Sequence, residues 1–135
     1  MKVIGVSGFG PVIQDSQTEE KLYLDDLGIP FEEVYGDYRF TEQLAGARHF
    51  SLMPLARLAQ SLFGHPAWPL GLTVPQAWIE FEVDDIEAAT RELEDGGYDL
   101  LVRAREEPWG QVLTRFLAPG GLMVGIVRNP QQPDS

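Results

Sequence analysis

Trp78 and Glu80 stand two positions apart in the run AWIEFEVDD, residues 77–85. The run alternates strictly, so on a strand Trp78, Glu80 and Glu82 share one side and Ile79, Phe81 and Val83 the other. Together Trp78 and Glu80 offer an aromatic stacking platform with a carboxylate beside it. The plainer alternative is that the indole fills space and Glu80 reaches solvent; Glu82, next to a helix start, reads as structural. Trp109 in EEPWGQ lies in a loop between strands, where it contacts either a ligand or a second subunit. Arg115 alternates with Leu113 on the next strand and either pairs with a local carboxylate or holds an anionic ligand group. His49 and His65 are the only histidines. Neither has the i, i+4 partner of a helical metal site, and both read as structural. GFG at 8–10 is followed by no phosphate-loop pattern, and no serine sits in a nucleophile elbow.

The elements that must position these residues run strand, helix, strand, strand, strand over residues 77–127. Asp84 or Asp85 offers an N-cap oxygen to the helix IEAATRELEDGG, and Gly96-Gly97 closes it. Strands are expected at about 98–104, 111–118 and 122–128, with PGG at 119–121 as the last turn. The same order is legible from residue 2: a strand to Gln14, a helix from about Ser16 to Leu27 ended by Gly28, and a meander over 30–53. Gly36-Asp37 and Ala45-Gly46 are its expected turns. Asp15 then corresponds to Asp85, Gly28 to Gly97 and Gly46 to Gly121, the pattern of a tandem duplication. Residues 54–75 join the halves. LARLAQSLFG is a short helix with leucines at 55, 58 and 62 on one side, and HPAWPLGLTVP is too rich in proline and glycine for regular structure. This linker either covers the mouth of a pocket or crosses the surface without a role. The tail NPQQPDS has no apolar content and is expected to fray.

At 135 residues, 44% hydrophobic, the chain is expected to form one domain with an ample core. It has no cysteine, which excludes disulfides and thiolate metal sites and fits the cytoplasm. The first residues lack the features of a signal peptide, and no apolar run approaches a membrane span. A net charge of −11 disfavours nucleic acid and acidic membranes as partners. It favours cationic or neutral ligands, or simply keeps the protein soluble.

FEVDD before the second helix, WGQ in the meander and APGG before the last strand together resemble the vicinal oxygen chelate superfamily. That group includes glyoxalases, extradiol dioxygenases, fosfomycin-resistance enzymes and bleomycin-resistance proteins. Its modules often open on HxxFxVxDxxxA and close on DPxGNxIEL, where this chain has WIEFEVDDIEAA and APGGLMVGI. The resemblance spans the chain up to Arg128. It implies an α+β fold of two βαβββ modules, residues 2–53 and 76–128, forming a cupped eight-stranded mixed sheet with helices on the outer face. Metal-dependent members hold their ion on the first and last strand of each module. Counting back seven from Asp15 and Asp85 gives Gly8 and Trp78, and counting four on from Gly46 and Gly121 gives Phe50 and Gly125. None of these side chains offers a donor to a divalent cation. A register error of one would bring in His49 or Ser51, but not a full ligand set.

With no metal and no other cofactor, the resemblance implies a pocket lined by Trp78 and Phe50 and widened at Gly8 and Gly125. Met123, Trp109 and Arg115 are its further candidate contacts. The expected function is metal-independent binding of a small organic molecule, drug-like or cationic, by a homodimer. The alternative is a metal-free lyase or isomerase with Glu80 as general base, its pKa raised by an apolar pocket. A third reading is an interaction protein with no small ligand.

Overall fold

The computed structural model describes residues 1–33 and 38–130. The expected turn at Gly36-Asp37 and the end of the tail, 131–135, lie outside them. The chain is α+β, built on one mixed sheet in the order β2-β3-β4-β1-β5-β8-β7-β6. Its strands are β1 (Val3–Ile13), β2 (Glu32–Glu33), β3 (Arg39–Thr41), β4 (Phe50–Pro54), β5 (Ala77–Val83), β6 (Leu100–Glu106), β7 (Val112–Leu117) and β8 (Met123–Arg128). The central pair β1 and β5 is antiparallel, while β1 with β4 and β5 with β8 run parallel. At the β6 end the register with β7 shifts twice, and Ala104 there takes a positive φ of 43°.

Helix α3 (Ile86–Asp95) forms as its sequence dictates. The Asp85 carboxylate accepts from Ala88 N at 3.0 Å, and Gly97, with φ 87°, turns the chain out of the helix. Ile86, Ala89 and Leu93, at helical spacing, pack with Val83, Val112 and Ile126. A buried hydroxyl relay fastens the helix to the sheet. Thr90 Oγ1 donates to Ile86 O, lies 2.6 Å from Thr114 Oγ1, and Thr114 Oγ1 accepts from Ala104 N. The face of the sheet that α3 covers is the outer face.

The first helix is less regular. Asp15 caps α1 (Ser16–Glu20) through Gln17 N and Thr18 N, and Glu19 reaches back to Gln14 N and Asp15 N. This reciprocal box fixes the start. From Lys21 to Asp26 the helix widens to π form, with no buried residue. Leu22 and Leu27 are exposed and Tyr23 and Leu24 only partly buried, so few apolar side chains seat the helix on the sheet. The outer face of β1 is therefore partly open. Val3, Val6 and Phe9 are exposed although β1 is central. Val6, Phe9 and Ile79, with the Gly46–Arg48 loop, line a shallow groove of about 270 Å³.

Helix α2 (Leu55–Phe63) departs from the expectation that helices cover only the outer face. Leu58 and Leu62 pack against Trp78, Val102 and Met123. Trp78 and Val83 have opposite parity on β5, as Met123 and Ile126 have on β8, so α2 lies on the face opposite α3. The linker helix thus covers the inner face of the sheet.

Candidate functional site

The inner face gathers Trp78 and Glu80 from β5, Arg115 from β7, and Met123 and Gly125 from β8, with Met53 and Leu58 closing a crevice above them. Strand register makes the grouping, since Trp78 pairs with Met123, Glu80 with Gly125, and Arg115 with Gly125 from the other side. The solvent-fillable volume is about 10 Å³, room for one water. The pocket is therefore far narrower than the sequence led one to expect, because α2 fills the space over Trp78.

Two glycines make the arrangement possible. A Cβ at Gly8 would lie 3.0 Å from Trp78 Cη2, and one at Gly125 would lie 2.9 Å from Glu80 Cγ. The indole and the carboxylate side chain therefore occupy the room that longer residues at these positions would need. Trp78 is buried and its Nε1 donates to the Ser51 carbonyl at 3.3 Å.

Phe50 is not at this site. It pairs directly with Phe9 on β1, and the two rings meet edge-on at 5.4 Å, with Phe31 beside them at 5.9 Å. Phe9 is in register with Ile79 rather than Trp78, so Phe50 belongs to the outer face. The count past the turn explains the shift: four residues past Gly46, Phe50 stands beside the outer-face Phe9, whereas four past Gly121, Gly125 stands beside the inner-face Glu80. A one-residue slip in a strand exchanges its faces. His49 takes the inner side instead, edge-on to Trp78 with the ring centroids 6.4 Å apart.

His49 brings neighbours that sequence reading missed. Its Nε2 lies 3.0 Å from Tyr38 Oη, its Nδ1 3.4 Å from Glu42 Oε1, and its ring stacks on Phe40 at 5.1 Å. Arg57 of α2 lies over the Tyr38 ring at 5.5 Å. Ser61 of α2 was also missed. Arg115 Nη1 donates to its Oγ at 2.9 Å, and Arg105 donates to its carbonyl at 2.9 Å and its Oγ at 3.2 Å. Only the placement of α2 joins these residues, and the sequence carried no signal for it.

Electrostatics sharpen the site. Arg115 Nη2 stands 3.7 Å from Glu80 Oε1. Burial pushes the Glu80 pKa above the ordinary carboxylate value, opposed first by Arg115 and then by His49. Burial also raises Tyr38, with the nearby Ser51 hydroxyl pulling the other way. Ser51 itself is fully buried, and its Oγ has no hydrogen-bond partner of ordinary length.

Trp109 stands apart from the crevice. It is 60% exposed, and its Nε1 donates to Gln111, which bonds Asn129, which bonds Ser7. His65 stacks on Phe63 at the end of α2.

The positions that bind metal in the implied superfamily do not fit a metal here. Gly8, Trp78 and Gly125 supply no donor, Phe50 faces the wrong way, and Trp78 and Glu80 fill the space. Among the described residues no group of three or more His, Cys, Asp or Glu side chains converges.

No family model and no curated protein matches the chain. Solved structures do. A glyoxalase/bleomycin resistance protein/dioxygenase superfamily member from Vibrio splendidus aligns over 90% of this chain and 96% of its own, with 16% identity and TM-score 0.55. Methylmalonyl-CoA epimerase from Mycobacterium tuberculosis covers 96% of this chain and 90% of its own, at 18% identity and TM-score 0.58. A structure described as an NAD-dependent benzaldehyde dehydrogenase from Legionella pneumophila covers 91% and 98%, at 10% identity and TM-score 0.60. The chain has the vicinal oxygen chelate fold. Proteins so differently described share it, so the fold does not choose the activity. Among the described residues no helix is long and apolar enough to cross a membrane.

Proposed function

We propose that this protein binds a small organic molecule without a metal, in the crevice formed by Trp78, Glu80, Arg115 and Met123 beneath α2. One observation carries the reading: a nearly buried carboxylate and guanidinium face each other in an otherwise apolar crevice. Such a pair costs several kcal/mol of desolvation per ion by common estimates, and the hydrophobic clusters on either side of the sheet hold without it. Perturbed charges of this kind concentrate at functional sites. The ligand reaches them by entering between α2 and β5.

The test combines metal analysis with fluorescence. After dialysis the protein should retain no stoichiometric zinc, iron or manganese, and a bound aromatic ligand should quench Trp78. Trp68→Phe with Trp109→Phe leaves that quenching intact and isolates Trp78 from the other two indoles. Tight metal retention would end the reading.

A second reading rests on Glu80 itself. A carboxyl held toward its protonated form beside a basic side chain is suited to proton transfer, as in a lyase or isomerase. Its raised pKa has a consequence for stability. The folded state holds the Glu80 proton more tightly than the unfolded chain, whose ordinary value is 4.5. The contribution is therefore fully present below about 4.5 and lost as pH rises through the folded-state value. Urea midpoints measured against pH should show a loss in the wild type that Glu80→Gln lacks. Parallel profiles would mean that Glu80 is not held as described. Ligand binding that survives in Glu80→Gln while turnover disappears favours the enzyme.

We also infer that the protein pairs with a second copy through the outer face of β1. The exposed Val3, Val6 and Phe9, beside a helical segment with no fully buried residue, support this. Sedimentation should give twice the chain mass, and Phe9→Asp should halve it; a monomeric wild type removes the inference.

A further inference from the structure

Of the ten lysines and arginines in this acidic chain, Arg57, Arg105 and Arg115 gather around α2. Arg105 has Glu107 as an ion-pair partner at 2.8 Å. Arg115 is held differently. It is 7% exposed and lines the crevice, yet its close contact is a neutral hydroxyl, Ser61 Oγ, with Glu80 standing off at 3.7 Å. A guanidinium bonds a carboxylate more strongly than a hydroxyl, because the anion adds charge and accepts two parallel N–H bonds. At 3.7 Å Glu80 is beyond ordinary hydrogen-bond length, so the guanidinium does not make the paired N–H bonds that a carboxylate accepts at closer range.

We propose that the ligand carries a carboxylate or a comparably flat oxyanion, which takes Arg115 from the Ser61 hydroxyl and lies against Trp78. This deepens the small-molecule reading, rests on it, and reverses the cationic preference suggested by net charge. Ser61 Oγ is the internal competitor for the arginine. The crevice has room for one water, so the anion enters as the last turn of α2 gives way, and losing the Ser61 contacts is part of that movement. The charged and titratable groups facing the site are Glu80, Glu107, His49, Tyr38, Arg57 and Arg105. Of these, ionised Glu80 opposes an anion most directly, and affinity should rise as pH falls through its raised range until the ligand itself protonates.

The full chain is titrated with benzoate, with benzamide as the neutral analogue and with benzylamine as the cation, at constant ionic strength. Backbone NMR shifts report binding, as does the fluorescence of Trp78 with Trp68 and Trp109 replaced by phenylalanine. Benzoate should perturb Ser61, Trp78 and Arg115, with the other two probes weaker by tenfold or more. Ser61→Ala should tighten benzoate by about 2- to 10-fold, the worth of one released hydrogen bond. Arg115→Gln should abolish it. The Ser61 variant keeps the test decisive if the Arg115 variant fails to fold. Benzoate binding unchanged in Ser61→Ala would place the anion elsewhere and overturn the inference. Binding of benzylamine or benzamide at these residues without benzoate would overturn the anion but keep the binding site. If none of the three binds, both readings fall.

Discussion

Gly10→Ala should destabilise this protein more than any other single methyl. A Cβ at Gly10 falls on the Ser51 carbonyl oxygen, deep inside van der Waals contact, and 2.9 Å from the Ser51 carbonyl carbon. Neither neighbour is a flexible side chain that can swing away, because both belong to the backbone of β4. The same carbonyl accepts the Trp78 indole N–H, so the methyl both wedges β1 from β4 and displaces a buried hydrogen bond. Overpacking costs about 1–3 kcal/mol and an unmade buried bond about 1–3 more. The sum is about 2–6 kcal/mol, or on the order of 6–20 °C in Tm for a domain of this size. Gly5→Ala is the control. It lies on the same strand with nothing within 4 Å of the added carbon, and should change Tm by no more than about 2 °C. Equal effects from the two would mean that β1 and β4 do not approach as described.

Trp78→Ala comes second, with an expected loss of about 3–5 kcal/mol. The side chain is 6% exposed and lies among Val12, Leu58, Leu62 and Met123. Its removal empties the space between α2 and the sheet. Trp78→Phe separates fill from hydrogen bonding: most of the packing stays, and the Ser51 carbonyl loses a donor at a cost of about 1–3 kcal/mol. Urea denaturation followed by circular dichroism gives both values. A loss below about 1 kcal/mol for the alanine variant would show that α2 does not rest on this ring. Alanine should also quicken hydrogen exchange across α2, since the helix would lose its seat.

Much of this arrangement was legible because its causes are local. The alternation of Trp78–Val83, the Asp85 cap and the Gly97 exit each depend on neighbouring residues. They place Trp78 and Glu80 on one face, while Arg115, Met123 and Gly125 were reached through the family resemblance and are joined to them by strand register. Phe50 escaped because its assignment counted across a loop, and one extra residue there exchanges inside for outside. The leucines at 55, 58 and 62 announced a helix with a buried side. They could not say which face of the sheet would receive it, and the Ser61–Arg115 contact follows only from that choice. In the first half, a regular helix was expected from about Ser16 to Leu27, where the chain forms a π-widened one with no fully buried residue.

The ends of the sheet set how copies of this protein can meet. One end is β2, two residues long, with exposed Glu32 on it; the other is β6, where two register shifts and the reversed φ of Ala104 break the ladder. A short acidic edge and a kinked one both resist the addition of another strand. Growth of the sheet into ribbons is disfavoured at both described margins, which leaves its broad side for the pairing proposed above.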